Sequence, residues 1–253
     1  MEWRDEGIVL RVRPTGESAA VVDLMTAAHG RHAGLVRSAR SRRMQPVLQP
    51  GNTVDCVWRA RLDEQLGLYR IEPLVSRAAA LMESAVASFA AATLTAHMAR
   101  LPERDPHPAL YQLFALVMDH VSDPALAGPL LVRFELAFLE EQGFGLDLVR
   151  CAVTGAEEGL THVSPRTGRA VCRQAAEPWL DRLLPLPRFL TDSGMNRPPD
   201  ADDVAEGLQL TGHFLRLHMA GERDEGLPEA RSLFLSALRR AEAAGGGPGR
   251  GDF

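Results

Sequence analysis

The sequence predicts an α+β protein in which an N-terminal OB-type β-barrel precedes a mainly α-helical domain. Short apolar stretches separated by turn residues fill the first part of the chain, which is typical of strands. Apolar residues at helical spacing dominate from residue 78 onward. We therefore expect an OB domain over residues 1–77 and a helical domain over residues 78–244. Another small barrel would have the same strand pattern.

Five short strands are predicted before residue 77. In the first, apolar residues alternate with mixed positions from Ile8 to Arg13. The others are expected at 20–25, 33–36, 54–59 and 68–71, with Pro73 ending the last one. Five strands near the N terminus that are followed by helices fit an OB-type barrel.

Five helices are predicted after the barrel, near residues 81–96, 108–121, 126–142, 200–220 and 228–243. Gly143 is expected to end the third helix, and the acidic group Asp200, Asp202 and Asp203 is expected to cap the fourth and favour its first turn. The helical period is lost over residues 150–176, which predicts an irregular insert. Residues 245–253 are Gly-rich and predict a disordered tail.

The composition indicates a cytoplasmic protein. Cys56, Cys151 and Cys172 are too few and too scattered for a disulfide framework. The N terminus is charged and lacks the apolar core of a signal peptide. The longest uncharged stretch of interest, Ser84–Ala99, is too short and too polar to span a membrane.

A basic segment follows the third predicted strand. The net charge of −5 divides into +3 for residues 1–77 and −8 for the rest of the chain. No acidic residue lies between Leu24 and Asp55, and the connection from residue 37 onward is too polar to be core. Arginine and serine suit phosphate contacts, whereas the alternative is a solvated basic loop. We predict that five arginines bind DNA: Arg31, Arg37, Arg40, Arg42 and Arg43.

Aromatic side chains that could stack on bases are few in the barrel. Trp58 shares a strand face with Val54 and Cys56, so core packing is expected for it. Trp3 or Tyr69 could stack on bases. We therefore expect binding that depends mainly on the phosphate backbone.

The insert contains a cysteine pair that resembles half of a zinc ribbon. Cys151 and Cys172 lie about twenty residues apart, but Thr154 and Ala175 occupy the positions where a second cysteine of each C-x-x-C knuckle would stand. His162 is one conceivable further ligand, which still leaves too few. We expect no metal and no cofactor, with the two cysteines as buried relics of a zinc site.

Three separated phrases resemble the RecO family. They are the run from Arg133 to Leu148 followed by Cys151, the phrase Val163–Val171, and the start of the barrel at Glu6–Leu10, supported by Gly51 to Val54 after the basic loop. The resemblance covers nearly the whole chain in consistent order. It departs at the zinc ribbon, where some relatives have four cysteines and this sequence keeps two.

The resemblance implies a recombination mediator in the repair of gapped DNA. Such proteins bind single- and double-stranded DNA, anneal strands, and act with RecR to help RecA replace single-stranded DNA-binding protein (SSB). This implies a nucleoid-associated location. The basic loop of the family maps onto Arg37, Arg40, Arg42 and Arg43. The acidic, Phe-ended SSB tail would bind the helical domain at Arg133 and Phe134, although Arg133 could instead form a surface salt bridge.

Two other classes of function compete with this one. An enzyme is disfavoured because the sequence has no P-loop, no G-x-S-x-G and no H-E-x-x-H, and its histidines form no ligand pattern. A protein-only adaptor would use the acidic helical domain for partners and the barrel only as a scaffold. Salt-sensitive DNA binding distinguishes the mediator from the adaptor.

Overall fold

The computed structural model describes residues 1–191, 197–219 and 226–245. It has the predicted mixed α+β class, with a five-stranded N-terminal sheet followed by helices. Of the predicted tail, residues 246–253 lie outside the described residues. None of the described helices combines the length and the apolar character that crossing a membrane requires.

The N-terminal strands close into a barrel in the order β1-β2-β3-β5-β4. Neighbouring strands are antiparallel except β3 and β5, which run parallel and pair only at Leu35 and Leu68. The strands are β1 (Glu2–Thr15), β2 (Ala19–Thr26), β3 (Gly30–Val36), β4 (Thr53–Arg59) and β5 (Leu68–Val75). Each includes or overlaps a predicted strand.

Two expectations about these strands are wrong. The simple alternation predicted for β1 fails, because Ile8, Val9 and Leu10 are all buried. Val9 belongs to the barrel core whereas Ile8 and Leu10 do not, and the helix at Ala85–Met98 contacts β1, so both faces of the strand are covered there. The pairing register of β1 with β2 shifts only beyond Val9, between Val9 and Arg11. Pro73 does not end β5, which continues to Val75. Proline is tolerated there because β5 pairs only with β4 at that point, beside a second register shift.

The first three helices are α1 (Ala78–Glu83), α2 (Ala85–Met98) and α3 (Pro108–His120). The single helix predicted near 81–96 is in fact two, because Ser84 is extended and its hydroxyl oxygen accepts from the amide of Ala87 as an N-cap. By contacts, the chain divides into one compact unit at Met1–Ser122 and a second from Asp123 onward. The predicted boundary at residue 77 follows the end of β5 and stays a prediction.

Among its described residues, the second unit contains four α-helices and a small sheet. Its helices are α4 (Pro124–Glu141), α5 (Arg173–Ala176), α6 (Ala201–Met219) and α7 (Glu229–Gly245), with short 3₁₀ helices at Glu177–Arg182 and Arg188–Leu190. Strands β6 (Leu160–Val163), β7 (Ala170–Cys172) and β8 (Leu184–Pro185) pair in the order β7-β6-β8. Gly143 follows α4 at a φ of 83°, and Asp200 accepts from the amides of Asp202 and Asp203 at the start of α6, as predicted.

A buried ion pair joins three helices of the second unit. Glu135 of α4 is fully buried and accepts from Nε of Arg231 at 2.7 Å and from its Nη2 at 2.9 Å. Arg231, on α7, also donates to the carbonyl oxygen of Leu208 on α6. The hydroxyl of Thr211 donates to Glu135 at 2.5 Å. Several charge-assisted hydrogen bonds thus satisfy a carboxylate that has no access to water.

We expect Arg231→Met to lower the free energy of unfolding by about 3–5 kcal/mol, because it leaves the Glu135 carboxylate buried without its cation. The double variant Glu135→Leu with Arg231→Met should lose less than the single variant, since neither charge remains. Urea unfolding followed by circular dichroism measures both.

Arg239→Ala is the matched control, because Arg239 pairs with the exposed Asp202 at 3.1 Å on the surface. It should cost at most about 1 kcal/mol. If Arg231→Met costs no more than Arg239→Ala, the buried pair does not stabilise this unit.

Candidate nucleic-acid interface

The connection between β3 and β4 carries four of the five arginines predicted to bind DNA. Arg37, Arg40, Arg42 and Arg43 are all exposed. In the described part of the chain, no carboxylate lies within ion-pair distance of any of them. Their charge is therefore available to an anion from solution.

The same connection contributes to the barrel core, so the expectation that it is too polar for core is wrong. Ala39 and Leu48 are buried in the barrel cluster, and Met44 and Val47 pack against it. The reason is local turn structure. The amides of Met44 and Gln45 donate to the carbonyl of Ser41, and that of Leu48 donates to the carbonyl of Met44. Helix-like spacing puts apolar residues on one side and arginines on the other.

The basic connection is also tied to the turn between β1 and β2. The amide of Arg40 donates to the carbonyl of Ser18 at 3.1 Å, and its Nη1 donates to the carbonyl of Glu17 at 3.2 Å. The Ser18 hydroxyl donates to the carbonyl of Arg37 at 3.2 Å. These bonds hold the arginine-bearing backbone in one place.

Arg31, the fifth predicted residue, lies apart from the other four. It stands near the start of β3, whereas the connection leaves the end of that strand. Its side chain is 15% exposed, and its Nε donates to the carbonyl of Leu101 at 2.6 Å. It also reaches Glu103 at 3.4 Å. Its guanidinium thus braces the barrel against the segment that follows α2.

The aromatic side chains of the barrel offer little surface to bases. Trp58 is fully buried, as predicted, and its Nε1 donates to the carbonyl of Leu66 at 3.0 Å. Tyr69 is also buried, which corrects the suggestion that it could stack on a base. Trp3 is half-buried, and one face of its ring is stacked on His29 with the centroids 4.0 Å apart.

A cleft of about 550 Å³ lies beside the basic connection, and we call it the β5 cleft. Arg37 and Ser38 line one side, and two residues that the sequence analysis missed, Arg59 and Arg70, line the other. Both point outward because their neighbours Trp58 and Tyr69 point into the core. Strand alternation around Trp58 predicts from the sequence that Arg59 faces outward, but not that it lies beside the basic connection.

The two residues of α4 that were predicted to bind the SSB tail, Arg133 and Phe134, differ in exposure. Nη2 of Arg133 donates to the carbonyl of Phe189 at 2.5 Å, so its partner there is a backbone oxygen and not the acidic side chain of a salt bridge. Phe134 is fully buried and presents no surface to a partner. Arg133 alone remains accessible in the predicted tail-binding pair.

The cysteine pair is close together and buried. The amide of Cys172 donates to Sγ of Cys151 at 3.2 Å, and Oγ1 of Thr154 lies 3.5 Å from Sγ of Cys172. Burial opposes ionisation of Cys151, but hydrogen bonds to its sulfur from Thr154 and backbone amides prevail and lower its pKa to about 6. Burial lowers the pKa of His162. The described residues contain no group of three or more side chains suited to a metal ion.

Comparison with known proteins identifies the two halves of the chain. The family model "Recombination protein O N terminal" matches residues 1–76, and "Recombination protein O C terminal" matches residues 81–225. A protein of Chelativorans sp. (strain BNC1) named DNA repair protein RecO is 55% identical over 95% of this chain and 96% of its own. Proteins of the same name from Brucella abortus (strain 2308) and Methylorubrum extorquens are 52% and 53% identical, over 95% and 93% of this chain and 97% and 98% of theirs.

We expect removal of metal by EDTA to leave the melting temperature unchanged, because Cys151 and Cys172 lack the other two ligands of a zinc knuckle pair. The double variant Thr154→Cys with Ala175→Cys restores both C-x-x-C spacings and should bind about one zinc ion per chain, measured by elemental analysis. A stoichiometric metal in the unmodified protein would contradict the expectation of a metal-free insert.

Proposed function

The chain belongs to the RecO family of DNA repair proteins, and from this premise we propose that it is a non-enzymatic, DNA-binding recombination mediator. Its family supports a role in recombinational repair. In our proposal it binds single- and double-stranded DNA, anneals complementary strands, and acts with RecR to help RecA replace SSB on gapped DNA.

We assign DNA binding to the basic connection of an OB-type barrel. The strand order β1-β2-β3-β5-β4 supports that barrel type, whose common use is binding single strands. The observation that carries the proposal is the set of four exposed arginines without carboxylate partners in the described residues. Guanidinium groups of this kind contact phosphates and release counterions.

Annealing follows from the same charge. Two DNA strands repel each other through their phosphates, and a cationic surface lowers that repulsion while both strands are held. The rigid attachment of the connection to the barrel keeps the positive charges close together. No chemical step is required of the protein.

A contact with the acidic, Phe-ended SSB tail is the second part of the proposal. The second unit has a pocket of about 430 Å³ between α6 and α7, lined by Leu208, Leu227 and Leu235 with the exposed Arg216 among its lining residues. An apolar floor with a cation suits an aromatic residue that follows acidic ones. Arg133, the residue predicted from the sequence, is held by the carbonyl of Phe189 and is the weaker candidate.

The adaptor remains the alternative function, because the region after residue 77 carries a net charge of −8. In that case the arginines would be solvated side chains and the barrel a scaffold. DNA titrations decide between the two.

We expect the triple variant Arg40→Ala, Arg42→Ala and Arg43→Ala to weaken binding of a labelled single strand and to reduce the salt slope by about 2, since each lost phosphate contact removes about 0.7. Fluorescence anisotropy at several salt concentrations measures both. The matched control removes three arginines from the second unit: Arg150→Ala, Arg166→Ala and Arg169→Ala. An equal loss in the control, or no salt-dependent binding by the unmodified protein, would favour the adaptor.

We expect Arg216→Ala to lower the affinity for an acidic peptide that ends in Phe, like the SSB tail, by about fivefold or more. The affinity for naked DNA should stay unchanged. Arg133→Ala should have the smaller effect. Peptide anisotropy and DNA anisotropy on the same preparations separate the two contacts. Loss of both activities together in Arg216→Ala would show damage to the fold and not a tail site.

A further inference from the structure

The β5 cleft exists because of how the barrel closes. Strands β3 and β5 pair at Leu35 and Leu68, and β3 then ends at Val36 while β5 continues to Val75. Beyond Leu68, β5 is paired with β4 on one side, and among the described residues it has no strand partner on the other. The basic connection passes this open edge.

The floor of the cleft is apolar. Val36 from β3, Met44 from the connection and Ile71 from β5 line it, and Val57 continues the apolar surface onto the outer face of β4. Its volume of about 550 Å³ lies within the range of sites that bind small organic ligands. A planar apolar group of the size of a nucleobase fits such a space.

The rim of the cleft is cationic. Arg37 stands on one side and Arg59 and Arg70 on the other, the latter two with side chains 77% and 79% exposed. Arg59 pairs with Glu2 at 2.8 Å and Arg70 with Glu72 at 2.9 Å, but all four side chains are at least half exposed to solvent. Exposed pairs of this kind are weak, so a phosphate can displace either carboxylate.

We propose that the β5 cleft binds an unstacked base of a single DNA strand, while Arg37, Arg59 and Arg70 hold the phosphates on either side of it. This inference rests on the proposed function and adds to it a preference for single strands. The bases of a duplex are stacked and paired, so only their edges reach a protein. The bases of a single strand expose their faces, which bind apolar surfaces and the planes of guanidinium groups.

An extended peptide is the other ligand that an open strand edge can bind. The charges favour the nucleic acid. Three arginines and their two paired carboxylates, Glu2 and Glu72, stand around the apolar floor, and the remaining positive charge matches a ligand that alternates regular negative charge with apolar rings. An isolated acidic residue of a peptide would occupy only one of these arginines. The successive phosphates of a DNA strand can reach arginines on both sides of the opening.

The test compares oligo-dT with an abasic strand of the same length, which has the same charge but no bases. We expect the unmodified protein to bind oligo-dT about fivefold or more tightly than the abasic strand. Ser38→Leu fills the cleft from an exposed position and should abolish this preference while duplex affinity stays within about twofold. Thr167→Leu, at an exposed position of the second unit, is the matched control.

Charge variants distinguish the contribution of the arginine rim to DNA binding from that of the apolar floor. Arg59→Gln with Arg70→Gln should weaken binding of both strands by the same factor, whereas Glu2→Gln should strengthen both about twofold, because it frees Arg59. Equal binding of oligo-dT and the abasic strand by the unmodified protein, or an unchanged preference in Ser38→Leu, would overturn the cleft proposal while leaving DNA binding intact. Absence of salt-dependent binding to any strand would instead overturn the proposed function.

Discussion

Closure of the barrel through one parallel pair, Leu35 with Leu68, is the constraint on which the rest of the first unit depends. Because β3 and β5 leave that pair in the same direction, the chain must travel from the end of β3 to the start of β4 by a long connection. The connection covers the barrel with Ala39 and Leu48 and presents its arginines on the opposite side. Packing and surface charge thus arise from one segment.

Much of this fold was predictable from the sequence because its strands and helices carry clear periods. The predictions failed where tertiary context changes the period. Val9 and Ile8 lie on opposite faces of β1, and both are buried because Val9 joins the barrel core while α2 packs against the strand. The apolar pattern of β1 does not show that a helix will cover its outer face. Ser84 divides one predicted helix into two because its side chain caps the second, although the apolar spacing continues across it.

The candidate site was less accessible to prediction than the fold. The basic run from Arg37 to Arg43 is contiguous, so it was visible in the sequence. Arg59 and Arg70 join it only through the pairing of β4 with β5, which no local pattern contains. Arg31 is the opposite case: it lies close to the run in the sequence, but its guanidinium is bonded to the carbonyl of Leu101, and its contact with DNA stays a prediction. The arginines that lie close together in the sequence are therefore not the same set as those that lie close together in the structure.

The apolar side of the basic connection also has a consequence for the thermodynamics of binding. A flexible basic loop loses conformational entropy when it meets a ligand, and this loss reduces its affinity. Here Ala39 and Leu48 are already immobilised by the barrel, and the backbone of Arg40 is bonded to Ser18 before any ligand arrives. The ordering of the backbone is therefore completed during folding. What remains to be restricted at the encounter is the rotation of the arginine side chains.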